Sequence, residues 1–160
     1  MSSLTRELPQ RVHALIEVPK GGFVKRELHA ESGPGRLTGL LGPGRIDYVS
    51  PLPCPFNYGC APDLPGLDGD PADVVVLGPR LPVGTRVDLP VLGVVRFWDA
   101  GSPDDKLVAG QRPITAPQRR RVELFFRLYA FARAGLNRVR GLHGRTEYLG
   151  FVPREEPEQS

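Results

Sequence analysis

No apolar run in this chain approaches the roughly 20 residues that a membrane span needs. The opening Met1-Ser2-Ser3-Leu4-Thr5-Arg6-Glu7 also has none of the hydrophobic region that a secretory signal carries. No membrane partner is expected, and the chain is expected in the cytoplasm. Cysteine is almost missing: Cys54 and Cys60 are the only two in 160 residues, too few for a disulfide framework and in keeping with reduced, partly buried thiols. No glycine-rich loop ends in Gly-Lys-Ser/Thr, which removes Walker-type phosphate binding. An EF-hand cannot start at Asp68, because its sixth position is Asp73 instead of glycine and its twelfth is Pro79 instead of glutamate. Internal repeats are absent.

Glycine and proline are plentiful instead, 19 and 18 residues, and they punctuate short apolar runs without forming a tract. That pattern suits an all-β or α+β domain rich in turns. The length suits one domain, residues 1–160, with 1–8 and 153–160 as frayed tails. Net charge is only +3, but it is unevenly spread. Residues 63–105 hold eight Asp and three Arg, whereas 112–145 hold nine Arg and the single acid Glu123. An acidic centre beside a basic flank is what a site for metal and polyanion requires. A solvated helix face accounts equally well for most of the arginines.

Arg11 to Val18 alternates in polarity and predicts a strand. Pro19-Lys20-Gly21-Gly22 breaks it, and Phe23 to Leu28 resumes in extended form, which predicts a hairpin. Lys25 and Glu27, two apart, share a face of that second strand. A short strand is expected at Leu37–Leu41, and an irregular loop from Ser50 to Pro65, where prolines recur. Val74–Leu77, Arg86–Leu89 and Val91–Trp98 read as three further strands. One helix is clear: Thr115 and Gln118 form a capping-box pattern, Pro117 lies in the first turn, and Val122, Phe125, Phe126, Tyr129 and Ala132 recur at helical spacing. Gly135 is its expected stop. The stripe reads as core, with the Tyr129 hydroxyl free to point at a site. The fold class is α+β, mainly β: an OB-like closed β-barrel covered by one long helix and short helical segments.

Asp68, Asp70 and Asp73 lie on a Gly/Pro-kinked loop that enters the Val74–Leu77 strand, and Asp99 and Asp104 lie on a second acidic loop followed by Lys106. An acidic turn in water would explain either loop alone. Together with Glu17 and Glu27 they make seven carboxylates, which cannot stay ionised side by side without cations. Hard oxygen donors with no His or Cys suit Mg²⁺, with Mn²⁺ or Ca²⁺ as relatives, and argue against zinc. The cations Lys25, Arg45 and Lys106 and the hydroxyls of Tyr58 and Tyr129 would hold an anionic substrate. Multi-metal hydrolysis of a phosphoanhydride is the chemistry such a set supports.

These motifs resemble the soluble family I inorganic pyrophosphatases over roughly residues 12–132. The signature Asp-Gly-Asp-Pro-x-Asp-Val is intact at Asp68–Val74, and Asp-x₄-Asp-x-Lys at Asp99, Asp104 and Lys106. Asn57-Tyr58-Gly59 precedes them, and Ile16-Glu17-Val18-Pro19 with Lys25-x-Glu27 matches the opening hairpin. The resemblance implies Asp68, Asp73 and Asp104 on an activating metal, Asp73 bridging to a second, and Asp99 with Asp104 on a metal that arrives with substrate. It further implies Glu17 and Glu27 on an outer ion, Asp70 as general base, and Lys25, Arg45, Tyr58, Lys106 and Tyr129 at the phosphates. Several Mg²⁺ ions per site and a homo-hexamer come with it, with pyrophosphate and phosphate as partners. The chain departs from the family at Ala130, where lysine is usual, and at Cys54-Pro55-Phe56, where a tyrosine hydroxyl is lost. Arg127 or Arg133 would have to replace the missing lysine. These departures leave room for a divergent phosphoanhydride hydrolase. An OB-type nucleic-acid module is disfavoured, since seven carboxylates would repel backbone phosphates.

Overall fold

The computed structural model describes residues 8–27, 45–49, 52–66 and 69–155, with the backbone alone for 24–27 and 45–49. The strand expected at Leu37–Leu41, the residue Asp68 and most of both tails lie outside these residues.

Five strands close the barrel. β1 (Arg11–Val18) matches the predicted strand, and its burial alternates only at the start, since every residue from Leu15 onward is buried. The predicted hairpin does not form: β2 (Val24–Glu27) pairs with β3 (Arg45–Val49) in a separate two-stranded sheet. The intervening turn is held elsewhere, with Gly21 N donating to the Cys54 carbonyl at 2.6 Å and Cys54 N to Gly22 O at 3.0 Å. Those bonds commit the turn to the 52–56 segment, so the chain cannot fold straight back along β1.

The expected loop at 50–65 contains β4 (Asn57–Pro65), which pairs with β1 and with β5 (Pro71–Val76). Its prolines misled the reading because Pro62 sits inside the register break between Ala61 and Pro65, where a missing N–H costs no ladder bond. Gly59 is dictated by closeness: a Cβ there would lie 1.8 Å from the Leu15 carbonyl oxygen of β1. Two predicted strands are one, β6 (Arg86–Asp99). Pro90 falls at a hand-over: residues 86–90 pair with β1, and pairing with β8 (Lys106–Ala109) begins at Val91. Between them, β7 (Ser102–Pro103) closes a short hairpin on the end of β6.

The barrel order is β1-β4-β5-β8-β6, closed by the β6–β1 pairing, and only β5 and β8 run parallel. A strand not foreseen in the sequence, β9 (Glu147–Pro153), lies along β6 from Gly93 to Trp98. Pro153 therefore ends a paired strand and does not begin a frayed tail.

Helix α1 (Ala116–Val139) has the predicted capping box: Gln118 N donates to Thr115 Oγ1 at 3.3 Å and Thr115 N to Gln118 Oε1 at 3.0 Å. It runs through Gly135, whose missing side chain would meet nothing, and stops at Arg140 before Gly141 with φ +71. The terminator is thus Gly141, because only there does the backbone need the left-handed region. No other helix occurs among the described residues.

Two cores result. Ala14, Ile16, Ala61, Val74, Val76, Val91 and Ala109, drawn from all five barrel strands, fill the interior. Val75, Val95, Phe97 and Val108, on the opposite faces, pack under Val122, Phe125, Phe126 and Ala130 of α1. Covering on both faces is why Val74–Val76 reads as continuous apolar sequence.

Candidate active site

The parallel β5–β8 pairing sets Asp73 directly opposite Lys106. Tyr58 on β4 stands opposite Val75, two residues on from Asp73, so all three side chains leave the sheet on the face covered by α1. Asp104 enters from the loop between β6 and β8. The Lys106 ammonium lies 2.6 Å from Oδ2 of Asp73 and 2.6 Å from Oδ2 of Asp104. Carboxylates from both acidic loops therefore meet on one cation.

Burial disfavours the Lys106 ammonium, but the charges of Asp73 and Asp104 outweigh it and hold the proton well above the ordinary lysine range. Among the described residues, two carboxylates share this one ammonium. Asp104 reflects this: burial, then Asp73 and Asp99, push its carboxyl above the usual value despite Lys106. The Tyr58 phenol is raised by burial, by Asp73 and Asp104, by Tyr129 and by a hydrogen bond with Asp73, so it stays a donor. Tyr129 packs on the Phe97 ring at 5.7 Å between centroids, within electrostatic reach of both Tyr58 and Lys106.

Asp99, at the end of β6, is engaged separately. Arg133 Nε donates to its Oδ2 at 3.2 Å, and Asn137 Nδ2 to its Oδ1 at 2.8 Å. Asp70 is exposed on the turn made by Gly69 (φ +86), three residues before Asp73. Glu17 is fully buried. It sits where the β1–β4 register slips between Ile16 and Val18, and a bulge re-aims the side chain it carries. Lys25 and Glu27 on β2 and Arg45 on β3 are placed by backbone only, with Glu27 opposite Arg45. Asp68 lies outside the described residues.

The lysine missing at Ala130 is not replaced by either nearby arginine. Ala130 is 7 % exposed and part of the core, Arg127 stacks over the Tyr148 ring at 5.8 Å, and Arg133 is on Asp99. Sequence reasoning quoted Asn57 in the Asn57-Tyr58-Gly59 motif without giving it a role, and it missed a second buried asparagine. Asn57 accepts from Lys20 N and Leu81 N and donates to Pro79 O at 2.8 Å, tying the turn after β1 and the loop after β5 to the start of β4. Asn137 is the other, and its helical spacing from Arg133 was the only available signal.

Among the described residues, no three His, Cys, Asp or Glu side chains group closely enough to hold a metal ion. Asp73 and Asp104 supply two hard oxygen donors, which suit a dication more than a soft metal.

A profile described as inorganic pyrophosphatase matches residues 14–147. An inorganic pyrophosphatase of Halalkalibacterium halodurans is 37 % identical over 63 % of this chain and 58 % of its own length. One from Saccharolobus solfataricus is 33 % identical over 70 % of this chain and 62 % of its own. The match thus spans about three fifths of the length of these curated relatives. The crystal structure of inorganic pyrophosphatase from Thermus thermophilus superposes with a TM-score of 0.69 at 25 % identity, over 96 % of this chain and 88 % of that one.

Proposed function

This chain belongs to the inorganic pyrophosphatase family, and on that premise we propose that it hydrolyses inorganic pyrophosphate to two phosphates with Mg²⁺. The observation that carries the reading is the convergence of Asp73 and Asp104, from two separate acidic loops, on the Lys106 ammonium at 2.6 Å each. A wall of carboxylates with embedded cations suits a guest that brings both metal ions and phosphate oxygens.

Asp73 and Asp104, with Asp68, would hold the ion, and Glu17 and Glu27 would serve an outer one. Bound Mg²⁺ would supply a water of lowered pKa and neutralise charge on the leaving phosphate. Asp70, exposed at the mouth, would take the proton of the attacking water. Lys106, held cationic by its two carboxylates, would turn toward a phosphate as the metal takes over those oxygens. The protonated Tyr58 phenol and the Tyr129 hydroxyl would donate to phosphate oxygens from the helix side, and Lys25 and Arg45 from the β2–β3 sheet.

A divergent phosphoanhydride substrate is the second reading. It is favoured by Ala130 in the core and Arg127 on Tyr148, which leave one expected phosphate contact unmade. Family membership is also the ground for proposing a homo-oligomer. No helix among the described residues is long and apolar enough to cross a membrane.

Phosphate release from pyrophosphate and from other anhydrides, with millimolar Mg²⁺ and with EDTA, tests the proposal. Pyrophosphate should be preferred and EDTA should abolish release. Activity that survives EDTA would count against the metal, and preference for another anhydride would establish the second reading.

A further inference from the structure

Away from the acidic loops, a cavity of about 170 Å³ opens where the turn after β1, the loop after β5 and the first turns of α1 come together. Its walls carry Lys20, Pro79, Gln118 and Arg121, and Phe56 and Leu77 lie at its base. We propose that this cavity is a second binding site, for a small molecule that carries a carboxylate or phosphate head on a flat apolar ring.

The cavity is built from fixed parts. Both loop walls are bonded to one side chain, Asn57, which is fully buried at the start of β4. Its Oδ1 accepts from Lys20 N at 3.0 Å and from Leu81 N at 2.8 Å, and its Nδ2 donates to Pro79 O at 2.8 Å. Aromatic packing holds the base: the Phe56 ring stands edge-on to Phe125 at 5.1 Å and stacks on Phe126 at 5.8 Å. The third wall is tied down by the capping box, which uses the backbone N–H and Oε1 of Gln118 and leaves its amide nitrogen to donate.

The lining is apolar at the base and cationic at the walls. Among the described residues, neither Lys20 nor Arg121 has an ion pair, and no acid lines the cavity. A concave apolar surface with a few placed polar groups is the usual form of a small-molecule site. A space of about 150 Å³ accepts a benzene ring, so a ring can rest on Phe56 and Leu77. The head group would then meet an ammonium and a guanidinium, both suited to carboxylate or phosphate oxygens. This position is separate from the carboxylate wall. Asp73 lies near the start of β5 and Leu77 just past its end, about 13 Å further on at ~3.3 Å per residue.

Binding is measured by fluorine NMR on the full chain in EDTA, which keeps divalent cations off the acidic loops. The anionic probes are para-fluorobenzoate and para-fluorophenyl phosphate, and fluorobenzene is the ring alone. At least one anionic probe should saturate, the tighter of the two identifying the head group. Fluorobenzene should bind at least about fivefold more weakly, the worth of one exposed ion pair. Lys20→Glu and Arg121→Glu, both at exposed positions, should each weaken the anionic probe by about fivefold or more. Arg120→Glu, next door on α1 but outside the cavity, carries the same charge change and should leave binding as in wild type. A loss in either lining variant that is absent from Arg120→Glu supports the site, so one variant that fails to fold does not prevent a decision. No saturable binding of either anion, equal binding of fluorobenzene, unchanged binding in both lining variants, or an equal loss in Arg120→Glu overturns the proposal. Pyrophosphate hydrolysis plays no part in this measurement, so either reading can fail without the other.

Discussion

Lys106 is the residue that joins the two acidic loops. Its side chain is 4 % exposed, and its partners Asp73 and Asp104 are 18 % and 28 % exposed. Replacing it with methionine keeps the stem's packing and leaves two carboxylates facing each other. Breaking a buried pair in this way costs about 3–5 kcal/mol, and the partial exposure of both acids moves the expectation to the lower end. Lys106→Met should therefore lower the urea midpoint markedly, and millimolar Mn²⁺ should recover part of the loss. Recovery that is absent would mean that the two carboxylates do not meet a dication. Asp70 is the opposite case, an acid exposed on its turn. Asp70→Asn should leave the melting temperature and the Mn²⁺ count nearly unchanged while lowering kcat by a factor of about 10²–10⁴, the usual worth of a positioned base. Full turnover in that variant would remove Asp70 from its role.

Among the elements, β4 shows how one residue can set the position of a whole strand. Its pairing with β1 brings the Leu15 carbonyl so close to Gly59 that any side chain collides with backbone, which has no rotamer to yield. Gly59→Ala should separate β1 from β4 and shift Tyr58 next door, with a loss of roughly 3 kcal/mol or more, in the range of severe overpacking. A variant with wild-type denaturation and unchanged phosphate release would contradict this close approach. The β5–β8 pairing matters as much, because a slip of one residue would turn Asp73 or Lys106 to the opposite face. Both faces are apolar, so alternation could not announce the register. Pro62 and Pro90 misled for the same kind of reason: one lies in a register break and the other where a strand changes partners, and a list of residues does not show where hydrogen bonds stop. The β9 strand was invisible because it is a short edge segment that gains its order from β6.

At the scale of the molecule, several buried groups bind protons more tightly folded than unfolded, and all act in one direction. Burial pushes the Cys54 thiol from its ordinary 9.0 up to about 12. The Tyr58 phenol and the Lys106 ammonium are raised from 10.0 and 10.5. A group with a raised folded pKa contributes stability that is complete below its unfolded value and is lost as pH climbs toward the folded one. Stability should thus fall from pH 9 upward, by at most ~1.4 kcal/mol per pH unit for each such group. Between pH 9 and 10 the thiol dominates, so Cys54→Ala should flatten that part of the profile when urea midpoints are compared. A wild-type midpoint that is level up to pH 11 would rule out this burial of the thiol.

The amino-acid sequence by itself determined the features that rest on near neighbours. The β1 alternation, the Thr115–Gln118 cap and the two acidic loops with their donor chemistry all follow from spacing over a few residues. Tertiary structure decided which carboxylate meets which cation: Asp73 and Asp104 share Lys106, whereas Asp99 belongs to Arg133 and Asn137. Those partners lie more than 30 residues apart in three of the four pairs. Such a pairing depends on strand register and helix phase, which are set by burial over the whole barrel and leave no periodic trace in the order of the residues.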